Sequence, residues 1–156
     1  MTPRVEIFTD GACLGNPGPG GWAALLCCGE QRLEISGGFV LTTNNRMELM
    51  AALRGLESLT KPCVVTLYSD SRYLCDAVNQ GWLDGWIVNG WRKADKKPVL
   101  NRDLWERLCP LLERYRPSFS WVRGHSGHPE NELADALARA GASAADLPAD
   151  PGFVRE

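Results

Sequence analysis

Two short apolar runs each end in an aspartate. Val5-Glu6-Ile7-Phe8-Thr9 precedes Asp10, and Val64-Val65-Thr66-Leu67-Tyr68-Ser69 precedes Asp70. Between them, residues 22–28 and 32–41 read as two further strands joined at Gly29-Glu30. Connections that short imply an antiparallel meander that starts from the strand at residues 4–10. Met47, Met50, Leu53, Leu56 and Leu59 then recur at helical spacing behind the capping side chains of Thr42-Thr43-Asn44-Asn45. That pattern predicts a helix to about residue 59, stopped by Lys61-Pro62. A helix followed by a buried-type strand requires a crossover, which lays residues 63–69 parallel to residues 4–10. Asp10 and Asp70 then share the carboxyl edge of one sheet, where open α/β sheets bind ligands.

The rest of the chain continues in the same idiom. Residues 13–21 are dense in Gly and Pro and read as a turn. Residues 71–79 predict a short helix, residues 82–97 an irregular or helical excursion, and residues 101–115 a helix carrying Leu104, Leu108, Leu111 and Leu112. A last strand is expected at residues 118–122. His128-Pro129-Glu130 opens a final helix, with proline suited to its first position. Residues 1–141 are read as one domain, and residues 142–156, with Pro148 and Pro151, as a loose tail.

With 156 residues the chain is long enough for a full core. No apolar stretch approaches the roughly 20 residues that span a bilayer, and Met1-Thr2-Pro3-Arg4 leads directly into a strand with no signal-peptide pattern. A cytosolic monomer is the expectation. Cys13, Cys27, Cys28, Cys63, Cys75 and Cys109 include no Cys-x-x-Cys pair, so they read as reduced, mostly buried thiols and not as a zinc site. A net charge of −2 gives no general support to nucleic-acid binding. Any such activity must rest on local features.

Four acidic residues provide one. Besides the two strand-end aspartates, Glu48 interrupts Met47-Glu48-Leu49-Met50 and Asp135 interrupts Leu133-Ala134-Asp135-Ala136-Leu137. Carboxylates beside core-forming segments are costly unless paired, and several converging on one point repel. A bound cation compensates both. An oxygen-only set suits Mg²⁺, with Mn²⁺ as a substitute. Two such ions activate a water and stabilise a leaving oxygen in phosphodiester cleavage. Taken singly, Asp10 and Asp70 are equally readable as solvated turn residues, and Glu48 and Asp135 as solvated helix residues.

The segments around these four resemble the bacterial type 1 ribonuclease H family. The resemblance is carried by I-F-T-D-G-A-C-L-G-N-P-G-P-G-G-W at residues 7–22, T-T-N-N-R-M-E-L-M-A-A-L at 42–53 and Y-S-D-S-R-Y at 68–73. It continues with A-D-K-K-P-V at 94–99, N-R-D-L-W at 101–105 and W-V-R-G-H-S-G-H-P-E-N-E-L-A-D at 121–135. It implies the ribonuclease H-like α/β fold, a five-stranded mixed sheet flanked by helices. Its first three strands are antiparallel and the crossover strands parallel. It implies that Asp10, Glu48, Asp70 and Asp135 bind metal and catalyse endonucleolytic hydrolysis of the RNA strand of an RNA–DNA hybrid, leaving 5′-phosphate and 3′-hydroxyl ends. His125 matches the family's auxiliary histidine, which assists proton transfer or product release.

Telling RNA from DNA requires contact with the 2′-hydroxyl. By resemblance Cys13, Asn16, Asn44 and Asn45 line the groove, Thr43 and Asn101 hold a DNA-strand phosphate, and Asn131 faces substrate. Asn16 is equally suited to turn chemistry beside Pro17, Asn44 and Asn45 to helix capping, and Cys13 to packing. Trp82, Trp86 and Trp91 flank a loop followed by Arg92, Lys93, Lys96 and Lys97. Aromatics interleaved with cations suit a nucleic-acid backbone, and tryptophans also anchor a protruding helix by packing. The chain departs from the family in that protrusion. Ile87-Val88-Asn89 replaces a basic cluster, Leu100 a frequent Lys, Leu41 a phosphate-holding Arg and Arg72 a frequent Gln. Weaker hybrid binding with intact chemistry is the expectation. Two other functions fit less well. A different nuclease or strand-transfer enzyme on this fold would not need the Gly-Asn-Pro-Gly turn, and a non-catalytic hybrid-binding module would not need all four carboxylates.

Overall fold

A computed structural model describes residues 2–124 and 128–154. The meander forms as the short connections predict. β1 (Arg4–Cys13), β2 (Gly18–Cys28) and β3 (Gln31–Thr42) run antiparallel. α1 (Asn44–Glu57) starts at Thr43, whose Oγ1 accepts the Arg46 N–H at 3.2 Å and satisfies one of the free donors of the first turn. β4 (Val64–Ser69) returns parallel to β1, pairing Ile7 with Leu67 and Phe8 with Tyr68. α2 (Arg72–Asn79), α3 (Trp82–Val88) and α4 (Arg102–Tyr115) follow, then β5 (Ser118–Trp121) parallel to β4, and α5 (Pro129–Ala142). The sheet order is β3-β2-β1-β4-β5.

Strand alternation splits the sheet into two faces. Ile7, Ala24 and Leu67 pack with the buried side of α1 and with Leu104, Trp105 and Leu108 of α4, forming the main core. The opposite face carries α5, whose Ala134, Ala138 and Ala142 are buried. Among the described residues no helix is long and apolar enough to cross a membrane.

Three expectations need correction. The Gly- and Pro-rich stretch is not all turn: the β1–β2 ladder runs on through Ala12–Gly21 and Cys13–Gly20, leaving only residues 14–17 outside the strands. Its glycines serve close packing instead. A Cβ on Gly21 would fall on the Ala138 carbonyl oxygen, and one on Gly38 would meet the Gly141 carbonyl oxygen at 2.5 Å, so α5 lies almost directly on the strand backbone. The cysteines are free, but only Cys75 is buried and the other five are half-buried. The tail is not loose. Pro148 accepts the Val40 N–H at 2.8 Å, and Asp150 is buried in an ion pair with Arg46.

Candidate active site

Register places the first two carboxylates. Phe8 and Tyr68 are paired across β1 and β4 and their rings stack at 4.8 Å. Asp10 and Asp70 lie two residues further along each chain, at the same edge of the sheet. Glu48 arrives from α1 because Gly11 lets the helix approach β1: a Cβ at Gly11 would sit 2.5 Å from the Glu48 nitrogen. The Gly11 N–H donates to Glu48 Oε1 and, at 2.9 Å, to Asp10 Oδ1. Ser69 Oγ donates to Glu48 Oε2 at 3.3 Å.

Oxygens of Asp10, Glu48 and Asp70 lie within 4.8 Å of one another, with Asp10 and Glu48 buried and Asp70 exposed. Burial pushes the Asp10 carboxyl up to about 8, and the neighbouring Asp70 charge acts in the same direction against a hydrogen bond with Glu48. Burial, then the charges of Asp10 and Asp70, hold Glu48 well above the usual carboxylate range. Without a cation the cluster retains protons at neutral pH. An all-oxygen donor set of this kind fits a hard divalent ion.

Asp135 stands beside this trio, its carboxyl within hydrogen-bonding reach of Asp10. It lines a cavity of about 30 Å³ together with Asp10, Asp70, Arg123 and Asn131, and it contributes to raising the Asp10 pKa. Its Oδ2 accepts from Arg139 Nη2 at 2.7 Å, one turn along α5. Asn131 Nδ2 is buried without a partner among the described residues, a donor with spare capacity at the edge of this cavity. His125 lies outside the described residues.

The other sequence-derived candidates separate into groups. Asn16, Thr43, Asn45 and Asn101 line one open groove of about 700 Å³. Asn16 Oδ1 accepts the Asn44 N–H at 3.2 Å, which ties the β1–β2 turn to the start of α1. Cys13 spends its thiol on the Gly18 and Thr42 carbonyls at 3.4 and 3.5 Å, a staple between turn and strand. Asn101 sits in the left-handed region (φ 62°), accepts from Arg46 and donates to the Tyr73 hydroxyl at 3.2 Å. Trp86 packs edge-on against Trp105 at 5.6 Å and so has a core role, whereas Trp82 is exposed. Trp91 lies under the Arg102 guanidinium at 5.4 Å.

Several neighbours carried no role in the sequence reading. The Trp121 indole N–H donates to the Asp70 carbonyl at 3.0 Å, and the Arg72 guanidinium stacks on that ring at 4.2 Å, setting a positive charge beside the acidic cluster. Arg123 lines the cavity itself. Arg46, inside a motif segment, turned out to be the hub of a buried ion network. Only its place among apolar residues on α1 signalled that it would be buried.

Comparison with known proteins gives a consistent picture. The RNase H family model matches residues 2–143. A ribonuclease H of Nitratidesulfovibrio vulgaris (strain DP4) is 65% identical over 150 residues, covering 96% of each chain. Among solved structures, LC9-RNase H1, described as a type 1 RNase H with the type 2 active-site motif, superposes with a TM-score of 0.81 at 30% identity, covering 100% of this chain and 79% of that one. LC11-RNase H1 in complex with an RNA/DNA hybrid shares the fold, with a TM-score of 0.66 at 24% identity over 87% of this chain and 94% of that one.

Proposed function

The chain belongs to the RNase H family and is an enzyme of it, and on that premise we propose that it hydrolyses the RNA strand of RNA–DNA hybrids by two-metal-ion phosphodiester cleavage. The observation that carries the reading is the trio Asp10, Glu48 and Asp70, with two buried carboxyls forced together at one sheet edge. Such a cluster is unfavourable by itself and favourable around cations. Asp10, Glu48 and Asp70 would hold the ions, and Asp135 would complete the set by turning from Arg139. Mg²⁺ fits these ligands, with Mn²⁺ as a substitute. When bound, the ions supply a water activated at neutral pH and neutralise the leaving 3′-oxygen, giving 5′-phosphate and 3′-hydroxyl ends.

The chain's own groups do the remaining work. Gly11 N–H and Ser69 Oγ hold Glu48, and Asp10 and Asp70 line the cavity. Asn131 Nδ2 is free to donate to a phosphate or to a water there. His125, just before α5, would carry a proton away from the attacking water or towards the leaving group. Cys13, Asn16, Asn44 and Asn45 would follow the hybrid groove and Thr43 with Asn101 the DNA strand. Trp82 and the Lys-rich loop after Trp91 would meet the backbone further out. A cytosolic monomer is the setting this reading expects.

The test is cleavage of an end-labelled RNA–DNA hybrid beside single-stranded RNA, duplex RNA and duplex DNA, with Mg²⁺ or excess chelator. Cutting restricted to the hybrid's RNA, and lost with chelator and with Asp70→Asn, is the expected result. Cutting of duplex DNA, or hybrid binding without cleavage in either metal, would overturn the reading.

A further inference from the structure

The groove that holds Thr43 and Asn101 has an outer wall made by the far end of the chain. Gly152, Phe153 and Val154 line it together with Asn16 and Thr43. This segment is anchored by a buried network. Asp150 accepts from Arg46 Nε at 2.7 Å and Nη2 at 3.0 Å, and from Thr42 Oγ1 at 2.7 Å. The other edge of the same guanidinium donates to Asp103 at 2.8 and 2.7 Å and to Asn101 Oδ1 at 3.4 Å. Arg46 thus joins the tail to α1, which begins at Thr43, and to the left-handed Asn101 that starts α4. Gly152 passes so close that a Cβ there would collide with Asp103 Oδ2. Phe153 N–H closes the turn on the Asp150 carbonyl at 3.2 Å.

We propose that residues 148–154 are a positioning element of the substrate groove: Asp150, acting through Arg46, sets Thr43 and Asn101 for the sugar–phosphate backbone of the uncleaved DNA strand, and Phe153 walls the groove on the outside. The proposal rests on the hybrid-cleaving reading. The groove's chemistry suits that strand. Its polar side is Asn16, Thr43, Asn45 and Asn101, with Arg102 as a cation and the Asp103 carboxylate paired to Arg46, and its lip is apolar, with Leu100 and Val154 exposed beside Phe153. A deoxyribose, lacking a 2′-hydroxyl to desolvate, passes an apolar lip at less cost than a ribose. Asp150 touches no substrate in this scheme. It is a positioning residue, and its loss reads out in binding and not in the chemical step.

The experiment compares wild type, Asp150→Asn and Phe153→Ser in hybrid cleavage, at a temperature where circular dichroism shows all three folded. Phe153→Ser leaves the Arg46 ion pairs intact, so it tests the wall without the anchor. Both variants should raise KM about fivefold or more with kcat within about twofold, because a displaced contact weakens binding without touching the carboxylates. Asp150→Glu, which restores the charge, should recover part of the loss. In an Asp70→Asn background, fluorescence anisotropy should show the same rise in Kd for the hybrid. A lower melting temperature with unchanged KM in either variant would make the segment merely structural and overturn the proposal. A wild-type protein that cleaves no hybrid would instead sink the functional reading, and that shows before any variant is made.

Discussion

At the scale of single residues, the site depends on groups that tolerate little change. Gly11→Ala drives a Cβ against the α1 backbone at Glu48 and Met47. A cost of about 2–4 kcal/mol in stability is expected, with loss of activity beyond what unfolding explains; urea titration and assays on the folded fraction check it. Asp10 gives a pH signature. Its folded pKa of about 8 lies above the ordinary 3.8, so between those values the native state holds more protons than the unfolded chain. Its contribution to stability is therefore full below the ordinary carboxylate range and is lost as pH rises towards the folded value. With chelator present, this group makes the protein melt lower at pH 8 than at pH 5. Mg²⁺ should raise the melting temperature more at pH 8 than at pH 5, because binding then has fewer protons to displace. A melting temperature in chelator that climbs across that range would contradict the assignment. The charge of Asp70 helps raise both buried carboxyls. Asp70→Asn should accordingly stabilise the metal-free protein at pH 8 while abolishing cleavage.

At the scale of elements, α1 does two jobs. Its apolar positions build the core, and its first turn, capped by Thr43 and tied to Asn16, faces the groove. Thr43→Ala should cost about 1 kcal/mol through the lost cap, with an additional rise in KM if the hydroxyl also meets a phosphate. The protrusion from α3 to the Lys-rich loop is divided in the same way. Trp86 belongs to the core beside Trp105, so Trp86→Ala should lower stability, whereas the exposed Trp82 should affect hybrid affinity alone. Ile87 and Val88 are exposed apolar residues on this protrusion. Val88→Lys should tighten hybrid binding and steepen the slope of log K against log salt by about one unit. An unchanged slope would place the hybrid away from α3.

At the scale of the whole molecule, one guanidinium links β3, α1, α4 and the C-terminal segment. Arg46 and Asp150 are both almost fully buried. Arg46→Leu leaves the Asp150 carboxylate without its partner and should cost about 3–5 kcal/mol. The Arg46→Leu/Asp150→Leu double variant should lose much less than the sum of the two single changes, a coupling that a thermodynamic cycle from urea melts measures. Partial desolvation works to raise the Asp103 carboxyl, which is exposed, but the Arg46 hydrogen bonds and charge outweigh it and hold the group below its ordinary value. That contribution is present above the unfolded-state pKa and fades as pH falls through the folded one. Arg46→Leu should remove this part of the acid dependence.

Local patterns determined a great deal. Apolar strand runs with short connections, helical spacing, the Thr43 cap and the proline at the start of α5 each act within a few residues. The element order, the strand directions and the convergence of Asp10 with Asp70 were therefore legible along the chain, and the family motifs pointed to Glu48 and Asp135. What tertiary structure alone decided involves partners far apart in sequence. The glycines near Pro19 looked like turn formers because glycine marks turns, yet at Gly21 the side-chain-free backbone admits α5. The sequence brought Asp135 to the acidic set, and the fold added its pairing with Arg139 at the cavity that Asp10 and Asp70 also line. Asp150 sat in a stretch too polar and proline-rich to signal burial, and only its meeting with Arg46, 104 residues away, made burial favourable. A charge is buried where its counter-charge waits, and no local rule along the chain records that place.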